Sequence, residues 1–161
     1  MFKLAVASVS ATSWIVGKDP NAYIPSNMID GIETTSFQFS TKPTKLGQEY
    51  LYFEFDRPVT VDELWIKNGF WKITEGLDQY TRNSRVKKMT IDYRYDGSND
   101  YRDKKTISLK DDKKRKDWKT IDLGRHENVT GIRILIQDIY KGSKFKTDVC
   151  ISEIMFVMKN K

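Results

Sequence analysis

The 161 residues are 39% hydrophobic and 31% charged, with a net charge of +6. That balance excludes a disordered chain and supplies a core without disulfide staples. Cys150 and His126 are the only residues of their kinds, so no internal disulfide forms and a cysteine–histidine nucleophile lacks an orienting partner. No apolar run approaches the roughly 20 residues of a membrane span. The length reads as one domain over residues 1–161.

Residues 1–14, MFKLAVASVSATSW, read as a first strand, because the apolar stretch is shorter than a signal-peptide core. The chain is also compatible with a mature domain cut from a longer secreted protein, placed outside the cell or at its surface. PSNMIDG, residues 25–31, suits one helical turn. Strict alternation marks strands at 50–56 (YLYFEFD) and 63–68 (ELWIKN), the second with Trp65 in the core. Further strands are expected at 86–95, 106–109, 119–123, 131–140 and 150–159, with Trp118 as core or edge.

Turn chemistry separates these runs, in GKDPN, FDRP, YDGSND, LGRHEN and YKGSK. No segment sustains a helical period. About eight strands therefore predict an all-β antiparallel sandwich. The basic excess lies in KDDKKRKDWK, residues 110–119, and RNSRVKK, residues 82–88. The first is mixed in sign between two strands, which reads as a solvated turn and not as a nucleic-acid surface.

SNMIDGIETTSFQF, residues 26–39, concentrates polar chemistry. Asp30 and Glu33 lie in one turn with no nucleophile beside them, which argues against acid–base catalysis. Asp30–Gly31 is a turn dipeptide. The stretch also suits calcium, which takes about six to eight oxygens, many of them carbonyls and hydroxyls, with one or two carboxylates. Asp30, a glycine that lets the backbone curl, and Thr35 supply several of these, and Glu153 at the start of the last strand is a candidate to close the shell. Zinc is excluded by the lack of thiolate and imidazole ligands.

The spacing Asn27, Asp30, Gly31, Thr35, Phe37 resembles the loop of discoidin-type domains, the family of coagulation-factor type C domains and many bacterial carbohydrate-binding modules. SVSATSW (8–14), GQEYLYFEFDRPVTVDELWIKNG (47–69), RNSRVKKMTIDYRYDGS (82–98), TGIRILIQDIY (130–140) and CISEIMFV (150–157) are similar to successive strands of that family. IKNGFWK, QYTRNSRVKKMTIDY and IQDIYKGSKFKTDVCISEI look most like the glycan-binding domain found in streptococcal NAD glycohydrolase toxins. The resemblance implies a galactose-binding-like jelly-roll sandwich and a non-catalytic module. It also implies a structural Ca2+ held by the Asp30 carboxylate, carbonyls of Asn27, Ile32 and Ser152, Thr35, and Glu153, with Glu33 facing solvent. Two departures stand out: Phe37 replaces the tryptophan of many relatives, and the last turn is basic, with Lys144 and Lys146.

Three long loops, 13–25, 36–48 and 68–84, carry the aromatic side chains a ligand site needs. A sugar offers a CH face and a rim of hydroxyls, so it wants an aromatic platform with fixed polar groups. Trp71 with Lys72, Tyr80, Arg82 and Asn83 fits that need, with Tyr23 and Phe39 beside it. Asn83 matches a sugar-contacting position of related modules. Tyr140, Lys144 and Phe145 form a second rim. The expected partner is a glycan, bound by a monomer or by one unit of a multidomain chain. The alternatives are a membrane surface, for which Trp14, Ile15 and the net charge speak, or a protein partner using the same loops.

Overall fold

The alternation in 50–56 turns Leu51, Phe53 and Phe55 inward and Tyr50, Tyr52 and Glu54 outward. The same parity repeats across the sheet, and that is what closes the core. The computed structural model describes residues 1–115 and 117–160; Lys116, within the basic run 110–119, lies outside them. The strands are β1 (Phe2–Lys3), β2 (Ser8–Ala11), β3 (Phe37–Ser40), β4 (Glu49–Asn68), β5 (Ile73–Thr74), β6 (Leu77–Asp78), β7 (Asn83–Tyr95), β8 (Tyr101–Ser108), β9 (Lys119–Tyr140) and β10 (Phe145–Met158). A 3-10 turn over Pro25–Ile29 occupies the expected helical position.

The main order is β1-β10-β4-β9-β7-β8, with β2 on β4 and β3 on β10. Pairing is antiparallel except for a short parallel contact between β10 and β7. The fold is the jelly-roll sandwich. Two turns expected from sequence are instead bends inside long strands. Between Glu54 and Glu63 the β4–β9 ladder shifts register three times. Pro58 has no N–H to give a ladder, and Gly124 and Asn128 on the facing strand take positive φ (76° and 59°). The strands thus bend without ending, and one strand serves both layers.

Phe37, Phe39, Phe53 and Phe156 are fully buried, and Phe53 meets Phe156 edge-on at 5.1 Å. Each such side chain stabilises by about 1.5–3 kcal/mol. Trp65 is not in the core. Leu64 and Ile66 take the inward positions, so Trp65 shares the outer face with Glu63 and Lys67. There its indole N–H donates to Glu63 Oε2 at 2.7 Å, and it lies 6.3 Å from Trp118.

The segment 69–82, expected as a plain loop, holds the β5–β6 hairpin and a short helix, α1 (Gln79–Arg82). Asp78 starts that helix, its carboxylate accepting from the Tyr80 amide at 3.1 Å. The turn between β9 and β10 then crosses directly over it. A Cβ at Gly142 would sit 2.3 Å from the Arg82 carbonyl oxygen and 2.4 Å from the Asn83 carbonyl carbon. Backbone is hard to move, so Gly142→Ala is expected to cost roughly 2–3 kcal/mol. The melting temperature should fall by roughly 5–10 °C. An unchanged melt would show that the two segments are not packed this way.

Candidate functional site

At one end of the sandwich a cleft of about 330 Å³ opens between three segments. The loop after β2 contributes Ile15 and Tyr23, and the β4–β7 segment contributes Phe70, Lys72, Thr74 and Gln79. Asn83 at the start of β7, Gln38 on β3, and Phe145 and Asp148 on β10 complete the wall. Tyr23 and Phe70 meet edge-on at 6.5 Å and form the aromatic floor. The Asn83 amide is fixed on the end of α1, Nδ2 donating to the Gln79 carbonyl at 3.0 Å and to Gln79 Oε1 at 3.2 Å.

The first loop is pinned from both ends. The Ile15 amide donates to the Gln38 carbonyl at 2.8 Å, and the Gln38 amide to the Tyr23 carbonyl at 3.3 Å. Ser13 donates to buried Glu49 through its amide (3.1 Å) and hydroxyl (2.9 Å). Burial pushes the Glu49 carboxyl up to about 6 from its ordinary 4.5, against the downward pull of the Ser13 bonds. A carboxyl raised on folding adds stability that is complete below its unfolded value and lost as pH rises through its folded value. Urea midpoints should therefore fall between pH 4.5 and 7 by the equivalent of about 2 kcal/mol from this group. Glu49→Gln should flatten that segment of the curve; the same slope in the variant would remove Glu49 as its source.

Of the residues expected to bind a ligand, Tyr23, Lys72 and Asn83 line the cleft. Four expected residues do not. Phe39 is fully buried and stacked on Phe37 at 6.1 Å, since β3 pairs beside β10 and turns both rings into the core. Tyr80 is only 3% exposed; its ring packs on Gly69 and under the Arg85 guanidinium at 4.7 Å. Burial holds the Tyr80 phenol up at about 12. Trp71 faces away: its indole N–H donates to the Asn68 carbonyl at 2.7 Å, and its amide to Ser152 Oγ at 3.1 Å. Lys67 Nζ lies 5.0 Å above its ring. Arg82 stands behind the wall, its guanidinium 5.5 Å from the Phe145 ring. Of the second rim, Phe145 lines the cleft, while the Tyr140 hydroxyl is donated to the Leu109 carbonyl at 2.7 Å.

Phe70 in place of Trp71 is the main correction. Gly69, at φ 87°, turns the chain where β4 ends, which exchanges the faces of the two aromatic residues that follow. Gln79 and Asp148 were also missed; no local pattern marks them, because they reach the cleft through the α1 cap and the register of β10.

The predicted calcium loop forms a separate cluster. Asp30 Oδ1 accepts from the Ile32 amide at 2.8 Å, and Oδ2 from the Thr35 hydroxyl at 2.5 Å. That hydroxyl is 2.9 Å from the Ile32 carbonyl oxygen. Glu153 faces this loop from β10, only 4% exposed, and its Oε1 has no hydrogen-bond partner. Burial and the neighbouring Asp30 push its carboxyl up to about 8, while the Gly31 and Ile32 amides pull it down. Two carboxyl groups turned on each other, with an orphaned oxygen and the Thr35 hydroxyl and Ile32 carbonyl beside Asp30, fit a hard divalent cation. Among the described residues no group of three or more His, Cys, Asp and Glu gathers, so an ion here depends on carbonyls. The Asn27 side chain is spent on the Ala22 and Ser36 carbonyls, and the Ser152 hydroxyl on Gly69 and Trp71. Both residues therefore have only their backbone oxygens left to offer a metal. Glu33 pairs with Lys67 at 2.9 Å and stays half exposed.

Solved structures with this fold include the F5/8 type C domain of a Bacteroides fragilis protein, at a TM-score of 0.72 and 17% identity over 99% of this chain and 98% of that one. A family 32 carbohydrate-binding module of Clostridium perfringens, in complex with GalNAc-β-1,3-galactose, matches at a TM-score of 0.67 and 16% identity over 94% of each chain. Another from the same organism, in complex with galactose, matches at 0.63 and 16% identity over 96% of this chain and 98% of that one. No curated protein matches the chain in sequence. The family model for the NAD glycohydrolase translocation F5/8 type C domain covers residues 2–157, nearly the whole chain, and the chain belongs to this family.

Proposed function

We propose that this protein is a non-catalytic glycan-binding module whose ligand enters the cleft between Tyr23, Phe70 and Asn83. The observation that carries this reading is the cleft's composition. An apolar aromatic floor is ringed by Gln38, Lys72, Gln79, Asn83 and Asp148, the combination a sugar's CH face and hydroxyls ask for. Solved modules of the same fold hold galactose and a GalNAc-galactose disaccharide, which supports a sugar as the ligand class here. A Ca2+ bound by Asp30, Glu153 and carbonyls of the 27–35 loop serves structure, joining the loop to β10. Such a module acts by holding a larger secreted or surface protein near carbohydrate, with avidity supplied by further modules.

A glycan array, run with calcium and with chelator, tests the reading. A defined sugar class should bind, and Asn83→Ala should remove the signal. A blank array in both conditions overturns it.

One observation favours a second reading. Trp14, Val16, Ile73 and Leu77 are 42%, 69%, 56% and 46% exposed on the two loops that border the cleft. Apolar loop tips beside lysines suit a membrane interface. Sedimentation with anionic liposomes separates the two: salt-sensitive binding together with a blank array selects the membrane.

A further inference from the structure

We infer that the cleft selects anionic sugars, those carrying a carboxylate or a sulfate, over neutral ones. This rests on the glycan reading above and specifies its ligand class. Among the described residues, six of the eight arginines are ion-paired: Arg57, Arg85, Arg94, Arg115, Arg125 and Arg133. Arg82, behind the cleft wall, is not. Its guanidinium lies against the ring of Phe145, a lining residue, and its buried Nε has no hydrogen-bond partner. Lys72 lines the cleft and has no acidic partner among the described residues, and neither do the exposed Lys144 and Lys146 on either side of Phe145.

One acid, Asp148, shares the wall with these cations. Lys72 itself lines the cleft, and Arg82, Lys144 and Lys146 stand next to the lining Phe145 with no ion pair among the described residues, against a single lining carboxylate. Cations around a cleft raise the local concentration of an anionic ligand, and Lys72 in its wall can give that ligand a charge-assisted hydrogen bond. Asp148 orients that ligand. It repels a carboxylate or sulfate from its own side and accepts hydroxyl hydrogens there, so the acid group is driven toward Lys72, with the Arg82 charge behind Phe145 adding to the field on that side.

The test is a calorimetric or NMR titration with galactose, galacturonate and galactose 6-sulfate, at about 25 and 300 mM salt. Galacturonate, galactose 6-sulfate or both should bind at least about fivefold tighter than galactose at low salt. At about 300 mM salt the gap should shrink to within about twofold. A gain for galacturonate alone assigns a carboxylate site, and a gain for the sulfate alone assigns a sulfate site. Lys72→Met, at an exposed position, should erase most of the gap, lowering affinity for the anionic sugars several-fold more than affinity for galactose, with the melting temperature unchanged. Arg82→Gln should act in the same direction. Equal binding of all three sugars overturns the charge selection and leaves the glycan reading intact. No binding of any of them, with a blank array, overturns both.

Discussion

In chelator the protein should melt about 10 °C lower than in about 1 mM calcium. A ligand of the native state at about a thousandfold over its dissociation constant stabilises by about 4 kcal/mol, and a chain of this size shifts by about 2–4 °C per kcal/mol. Asp30→Asn and Glu153→Gln should both abolish the response, yet they should differ without metal. Asp30 holds the Ile32 amide and the Thr35 hydroxyl, so its replacement weakens the loop itself. Glu153→Gln removes a buried carboxyl with an unpartnered oxygen, and the new amide has an N–H to offer Asp30. The chelated variant should therefore melt no lower than the chelated parent. Scanning fluorimetry across calcium, magnesium and chelator reads all of this. A melting temperature indifferent to calcium removes the ion from the account.

The ion would also act at a distance. Ser152, beside Glu153, donates its hydroxyl to the Gly69 carbonyl at 2.8 Å and receives the Trp71 amide. The Gly69 amide in turn donates to the Cys150 carbonyl at 3.0 Å. The segment that presents Phe70 and Lys72 is thus fastened to the strand that would hold the metal. Loss of such an ion would loosen β10 at Glu153, next to the Ser152 bonds that hold this segment.

How legible was this in the sequence? Residues 50–56, 86–95 and 131–140 were read correctly because burial on one face imposes a period of two, which is visible residue by residue. The FDRP and LGRHEN segments were read as turns because their composition is that of turns. A bend within a strand uses the same residues, and only pairing to a distant partner distinguishes the two. The Asp30–Thr35 contact was within reach of the sequence because one loop holds both residues and their hydrogen bond is local. The cleft was legible only in part. Tyr23, Lys72 and Asn83 are polar or aromatic residues in loops, where binding groups collect. Phe39 and Tyr80 share that description but are claimed by the core and by Gly69, and sequence position carries no record of such packing.

Phe70 and Trp71 separate those two kinds of information, and replacing each gives a clear experiment. Phe70→Ala should weaken binding of whichever sugar the array identifies by about fivefold or more. It removes half of the Tyr23–Phe70 floor, and loss of an aromatic platform costs on the order of 1–3 kcal/mol, by analogy with base stacking on aromatic side chains. Trp71→Ala should do the reverse. Its indole bonds the Asn68 carbonyl and lies under Lys67, so its loss removes a half-buried ring and its hydrogen bond and lowers stability by roughly 1–2 kcal/mol. The surviving folded protein should keep its affinity within about twofold, because the ring never meets the cleft. Titrations on protein shown folded by its melt distinguish the two outcomes. If Trp71→Ala abolishes binding while Phe70→Ala is silent, the ligand lies on the outer face of the β4–β7 segment. The cleft would then be a gap between loops, and Lys67 with Trp71 and Trp118, which flank it at 5.0 and 4.9 Å, would become the platform to test.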